Sequence, residues 1–333
     1  MTYTLAADIG GTKILFQLMA DNDVVVLEQE YASQQFASFD LVLAEFLGQD
    51  QIKDYVIERA CFAVAGPVSG RDANVTNLPW QLNADDLSTQ FNIQIVILCN
   101  DFEAVGYGIS CLDDKDIVTL QHGAPVDGAP RAVIGAGTGL GQAFLLPEGD
   151  GWRVVATEGG HVDFAPRDNI QILLLEHLIE RFGHASYERI VSGVGLVTIY
   201  DFLRAYKQYD ENPSLRHAMM IQDPAAAISQ FAIENSDSLA AEALKMFISI
   251  YGAQAGNLAL LVLPRAGLYI AGGIAAKNLQ QFKDGTFINA FNAKGKMSSL
   301  VEKIPVRLIL QPKVGLMGAQ YLAKNSLNNG DLS

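Results

Sequence analysis

Four polar clusters, set in a largely apolar sequence, carry side chains able to move a proton, hold a cation or grip hydroxyl groups. Asp8 directly precedes Ile9-Gly10-Gly11-Thr12-Lys13. A carboxylate beside a glycine turn can hold Mg²⁺ directly or through water, and it can equally cap its own turn. Asn100 and Asp101 close the apolar run 95–99. An Asp at the end of a buried strand can take the proton of a substrate hydroxyl as that oxygen attacks a phosphoryl group. The pair can also serve as the N-cap of a following helix. Glu158-Gly159-Gly160-His161 places an acid and an imidazole on one tight loop. It lacks the H-E-x-x-H spacing of metalloproteases, and a lone His in such a loop is also compatible with a structural role. Glu188 follows the turn 183–187 and reads as the start of a helix with Arg189, where a glutamate ordinarily complements the helix dipole on a solvated face.

Two glycine-rich turns must position these groups. Gly10-Gly11-Thr12 lies between the apolar runs 5–7 and 14–19, and Gly135-Ala136-Gly137-Thr138-Gly139-Leu140-Gly141 lies between 132–134 and 142–146. Each reads strand, tight turn, strand. Glycine lets backbone N–H groups approach a phosphate, and successive N–H groups form an anion-binding concavity. Neither turn is a P-loop, which needs two glycines five apart followed by Lys and Ser/Thr. The dinucleotide fingerprint fails as well: its last glycine would fall on Leu140 or Gln142. Two similar hairpins in one chain predict a duplicated fold that grips a nucleotide from both sides.

The chain has 333 residues, half of them apolar and 18% charged, and a net charge of −14. That length allows two domains and a sizeable core. The charge argues against nucleic acid and anionic membranes as partners. Cys61, Cys99 and Cys111 are odd in number and form no C-x-x-C pair, which disfavours a disulfide framework or a structural zinc site. Cys61 and Cys99 lie in apolar runs and read as core residues. The first strand follows Met1 directly, so no signal peptide is expected and the compartment reads as the cytoplasm. The uncharged stretch 246–264 contains the G-x-x-x-G spacing of membrane helices at Gly252 and Gly256. Ser249, Gln254 and Asn257 within it favour a helix buried in a soluble fold.

Strands are expected at 4–7, 13–19, 24–29, 59–65 and 93–98, with helices at 39–47 and 102–109. The polar stretch 112–130, rich in Gly, Pro and Asp, reads as a connection between domains. Beyond it a hairpin is expected at 132–146 and strands at 153–157, 267–271 and 305–310. Helices are expected at 170–182, 195–206, 224–234 and 239–261, and a last one opening at Gly315. The domain division is therefore a small α/β domain of 1–111 plus 315–333 and a large α/β domain of 112–314. Two α/β halves with matching glycine hairpins point to a duplicated ribonuclease H-like, actin-like ATPase fold: two domains with a cleft between them.

The segments DIGGTK, NDFEAV, GAGTGLG, EGGHVDFAP, SYERIVSG, NLAL and AGGI occur in this order. In them the chain resembles the bacterial glucokinases, ATP:glucose 6-phosphotransferases of the actin-like kinases, over nearly its whole length. The resemblance implies that Asp101 is the general base on the 6-hydroxyl of glucose. It implies that Asn100, Glu158, His161 and Glu188 bond the other hydroxyls. Gly10, Gly11 and Thr12, with Gly137 and Thr138, would cradle the phosphates of ATP; Gly272 and Gly273 would line the adenosine pocket, and Asp8 would position Mg²⁺. A homodimer is implied too. Lys13 stands where this group often carries Asn, and Lys is usual in the related repressor–kinase family, whose zinc-binding cysteine cluster is missing here. Other readings are a kinase of another hexose or aminosugar, a catalytically silent sugar sensor on the same fold, and a heat-shock-type ATPase module.

Overall fold

Period-two alternation sorts the strands of the first sheet into a bulky face and a small one. The computed structural model describes residues 2–325. The chain divides into Met1–Asp113 with Gln311–Ser333, and Asp114–Leu310. The first unit carries β1 (Tyr3–Ile9), β2 (Lys13–Ala20), β3 (Val25–Ala32), β4 (Ile57–Val64), three short strands β5 (Val68–Ser69), β6 (Asp72–Asn74) and β7 (Gln81–Asn83), and β8 (Ile95–Asn100). Its main sheet runs β3-β2-β1-β4-β8, with β1–β2 and β2–β3 antiparallel and β1–β4 and β4–β8 parallel.

Phe16 and Phe62 point to one face and meet Phe39 and Phe46 of the helix Phe39–Leu47. The ring centroids lie 4.9 Å apart for Phe16–Phe46 and 5.0 Å for Phe39–Phe62. That helix buries Phe39, Val42, Leu43 and Phe46, one stripe at helical spacing. The opposite face presents Ala6, Cys61, Ala63 and Cys99, and against it lie Ala104, Leu316 and Ala319 of two further helices. Small residues here allow close approach. A Cβ on Gly318 would stand 1.8 Å from the Ala104 carbonyl oxygen, and one on Gly108 2.0 Å from that of Val314. The helices Asp101–Gly108 and Val314–Asn325 thus pack backbone against backbone.

The second unit repeats the plan. It carries β9 (Ile117–Gln121), β10 (Arg131–Ala136), β11 (Leu140–Glu148), β12 (Gly151–Thr157), β13 (Gly267–Ala271) and β14 (Val306–Ile309), in the order β12-β11-β10-β13-β14-β9. The first five strands follow the same antiparallel-then-parallel scheme as the first unit. β9 is an addition, antiparallel to β14 at the edge, so the stretch read as a plain connection contains a strand.

The helix Ser238–Val262 lies in this unit's core. Tyr251 on it is fully buried; its hydroxyl donates to the Ile134 carbonyl and accepts from the Ala136 N–H. The G-x-x-x-G residues face protein: a Cβ on Gly252 would meet the Phe287 carbonyl oxygen at 2.3 Å, and one on Gly256 that of Phe291 at 2.4 Å. The helix Thr286–Asn292 fills that groove. Among the described residues no helix is long and apolar enough to cross a membrane.

Candidate active site

In the first unit the glycine turn closes the β1–β2 hairpin, with the Gly10 N–H bonded to the Lys13 carbonyl at 2.9 Å and Ser33 Oγ donating to the Gly10 carbonyl at 2.8 Å. Lys13 pairs with Glu30 across the strands at 2.8 Å. Asp8 stands near the end of β1, one strand position from the turn. Its Oδ2 would lie 3.6 Å from a Cβ on Gly315, in the first turn of the helix Val314–Asn325. Burial pushes its carboxyl above the ordinary range, and the Lys13 charge partly opposes that. A desolvated carboxylate beside a glycine turn suits Mg²⁺, which takes one or two protein carboxylates and completes its shell with phosphates and water. Among the described residues no cluster of three or more His, Cys, Asp or Glu forms a protein-only cage.

β8 delivers Asn100 and Asp101. Asn100 Oδ1 caps the helix Asp101–Gly108, accepting from the N–H groups of Phe102 at 2.9 Å and Glu103 at 3.3 Å. Its Nδ2 donates to the Gly66 carbonyl at 3.1 Å. The capping function therefore falls to Asn100, which keeps one amide hydrogen for a ligand. Asp101 follows as the first helical residue, its Oδ1 accepting from the Phe102 N–H at 2.9 Å.

The second unit gathers three of the sequence candidates on two stitched loops. The Glu188 N–H bonds the Gly160 carbonyl at 2.9 Å, the Tyr187 N–H that of Val162 at 3.0 Å, and the Phe164 N–H that of Ala185 at 2.9 Å. His161 Nε2 comes within 3.7 Å of Glu158 Oε2 and its Nδ1 within 3.9 Å of Glu188 Oε1. The side chains of Glu158 and His161 are 76% and 58% exposed, so both can meet a ligand. Glu188 reaches further in. Its Oε2 accepts from the Leu140 N–H at 3.0 Å, and a Cβ on Gly139 would come within 2.5 Å of it. The second glycine hairpin and the acidic cluster are therefore one construction.

Glu188 does not begin a helix. Residues 187–191 form a turn in which the Val191 N–H bonds the Tyr187 carbonyl at 2.7 Å. The helix starts at Gly193, capped by Ser192 Oγ on the Gly195 N–H at 3.1 Å. Ser192 outcompetes Glu188 because its short hydroxyl reaches an N–H two or three residues on.

Gly137 and Thr138 line a cavity of about 540 Å³, together with Val194, Ile233, Gly273 and Lys277. Gly272 precedes it with φ +90, a conformation glycine adopts freely, and Gly273 opens a short helix. Val194 and Ile233 are exposed apolar side chains on its wall. Sequence reading missed them, because each sits on the outer side of a helix whose pattern reports only its core stripe. A groove of about 680 Å³ around Asp40, Asp72 and Asp86 holds none of the motif residues.

A five-stranded sheet and a six-stranded one whose first five strands follow the same order, each with a glycine hairpin and with carboxylates at strand ends, have the duplicated plan of the actin-like sugar kinases. The Glucokinase family model matches residues 5–326. The glucokinase of Trichormus variabilis (strain ATCC 29413 / PCC 7937) is 44% identical over 340 residues, covering 97% of this chain and 99% of that one. Among solved structures, a glucokinase from an Antarctic psychrotroph superposes with a TM-score of 0.82 at 29% identity, over 97% of this chain and 99% of its own. A Balamuthia mandrillaris glucokinase in complex with glucose gives a TM-score of 0.82 at 25% identity, over 97% and 93%. The chain belongs to the Glucokinase family and is a phosphotransferase.

Proposed function

We infer that this chain transfers the γ-phosphoryl group of ATP to the 6-hydroxyl of glucose, giving glucose 6-phosphate and ADP. The observation that carries the reading is the convergence of Glu158, His161 and Glu188 on the glycine hairpin. Two carboxylates accept from neighbouring hydroxyls and an imidazole can donate or accept, which suits a neutral polyol. Sugars with hydroxyls pointing elsewhere would leave those groups unpaired, at a cost. Asp101 takes the proton of the 6-hydroxyl as its oxygen attacks phosphorus, and the remaining amide hydrogen of Asn100 bonds a further hydroxyl. Gly10, Gly11, Thr12, Gly137 and Thr138 offer backbone N–H groups to the phosphates, and Gly272 and Gly273 border the adenosine. Asp8 would hold Mg²⁺, whose charge neutralises the phosphate oxygens when bound. We further propose a homodimer, on the family resemblance. The cytoplasm suits three cysteines without a C-x-x-C pair, since thiols stay reduced there.

The test presents purified protein and Mg-ATP with glucose, mannose, fructose and N-acetylglucosamine. Glucose 6-phosphate as the preferred product supports the reading. Transfer chiefly to another sugar moves it to that substrate, and ATP binding without transfer to any sugar leaves a silent sensor. Glu158→Gln should raise the KM for glucose by about 10-fold or more, the worth of a hydrogen bond to a charged group, and leave the KM for ATP within about twofold. Equal loss of both would contradict a sugar contact.

A further inference from the structure

Asn257 of the NLAL segment and Lys294 have no part in the chemistry above, yet their half-buried side chains meet beside the core of the second unit. Lys294 Nζ donates to Asn257 Oδ1 at 2.7 Å and to the Ala253 carbonyl at 2.8 Å. A lysine can only donate, so it fixes which end of the Asn257 amide faces it. Nδ2 is thereby turned to the Tyr187 hydroxyl, at 3.1 Å, and to Gln254 Oε1, at 3.1 Å.

Tyr187 is 2% exposed and immediately precedes Glu188. Its hydroxyl is also hydrogen-bonded by the Ala165 backbone, and its ring meets Phe164 edge-on at 5.6 Å. Both partners belong to the loop that carries Glu158 and His161. Gly256 makes room for the arrangement: a Cβ there would stand 2.4 Å from Lys294 Cε. The second glycine of the G-x-x-x-G pair thus serves a side chain as well as a helix crossing.

We propose that Lys294, Asn257 and Tyr187 are positioning residues, a polar strut that ties loops 158–166 and 185–191 to the helix Ser238–Val262 and sets Glu158, His161 and Glu188 for the sugar. The assignment rests on the sugar reading of that cluster. Holding a cation here is costly: burial, with the Arg167 charge adding to it, pushes the Lys294 ammonium down to about 8. A methionine would fill the same space without that cost, and would leave the Asn257 amide unoriented.

Tyr187→Phe, Lys294→Met and the double variant test the strut by two readouts. Amide hydrogen exchange in 158–166 and 185–191 should accelerate about 10-fold or more in each single variant, with peptides of the first unit unchanged. The KM for glucose should rise about 5- to 20-fold while that for ATP stays within twofold. Because the residues act along one line, the double variant should be no worse than the more affected single. Unchanged exchange overturns the proposal. Faster exchange with an unchanged glucose KM, equal rises in both KM values, or multiplying effects overturn it too. In a wild type that phosphorylates no sugar the glucose reading falls, and loop exchange alone then decides the strut.

Discussion

Asp101→Ala is expected to lower kcat by about 10³-fold, within the range a positioned general base contributes, while glucose still binds with nearly its original affinity. The variant is a clean probe because Asn100, not Asp101, caps the helix Asp101–Gly108. The Asp101 carboxylate accepts from the neighbouring Phe102 N–H, which the Asn100 cap also serves, so local structure should survive. A coupled assay for glucose 6-phosphate, beside calorimetric titration with glucose, separates the two quantities. Turnover within tenfold of wild type would remove Asp101 as the base. Loss of binding together with turnover would make it a sugar contact instead.

Gly318→Ala should be the most damaging single methyl in the first unit. The added carbon would stand 1.8 Å from the Ala104 carbonyl oxygen and 2.7 Å from the Gly108 nitrogen, both backbone atoms in a helix that cannot yield locally. Overpacking of this kind costs about 3 kcal/mol, the upper end of the usual range. Relief requires sliding the helix that begins at Asp101, so kcat should fall along with the melting temperature. Gly151→Ala is the matched control: a Cβ there meets only the Glu148 carbonyl oxygen, at 3.8 Å, and stability should change by no more than about 0.5 kcal/mol. Equal melting temperatures for the two variants would mean that the helix pair is looser than its backbone contacts indicate.

Much of the fold was legible because its signals are local. Both hairpins announce themselves as glycine turns between alternating apolar runs, and β8 as an unbroken apolar run ending in Asn-Asp. The helix Phe39–Leu47 follows from one stripe of apolar side chains. β9 escaped because all five of its residues are partly or fully exposed and it lies in a polar stretch; only its partner β14, distant in sequence, makes it a strand. The helix Ala84–Phe91 is short and rich in polar residues, and its Asn83 cap precedes little apolar pattern.

The site divides in the same way. Asp8, Asp101, Glu158 and His161 stand near glycines or at strand ends, where residue type and neighbours mark them as candidates. Glu188 was placed on a helix that starts five residues later, because the stronger cap at Ser192 is visible only once the turn before it is known. The Lys294–Asn257–Tyr187 line could not be read at all: its members lie far apart in the chain, and each alone is an ordinary polar residue near a core.

The helix Val314–Asn325 packs against β1, β4 and the helix Asp101–Gly108, so the last described segment completes a unit begun by the first strand. On a ribosome adding about 5–20 residues per second, Asp101 emerges long before the helix that buries its neighbours. The second unit, contiguous from Asp114 to Leu310, is fully synthesised in the interval. A nascent chain stalled before residue 314 lacks the helix Val314–Asn325 and so leaves the small-residue face of the first sheet uncovered. Chaperone demand should therefore concentrate on that waiting N-terminal sheet.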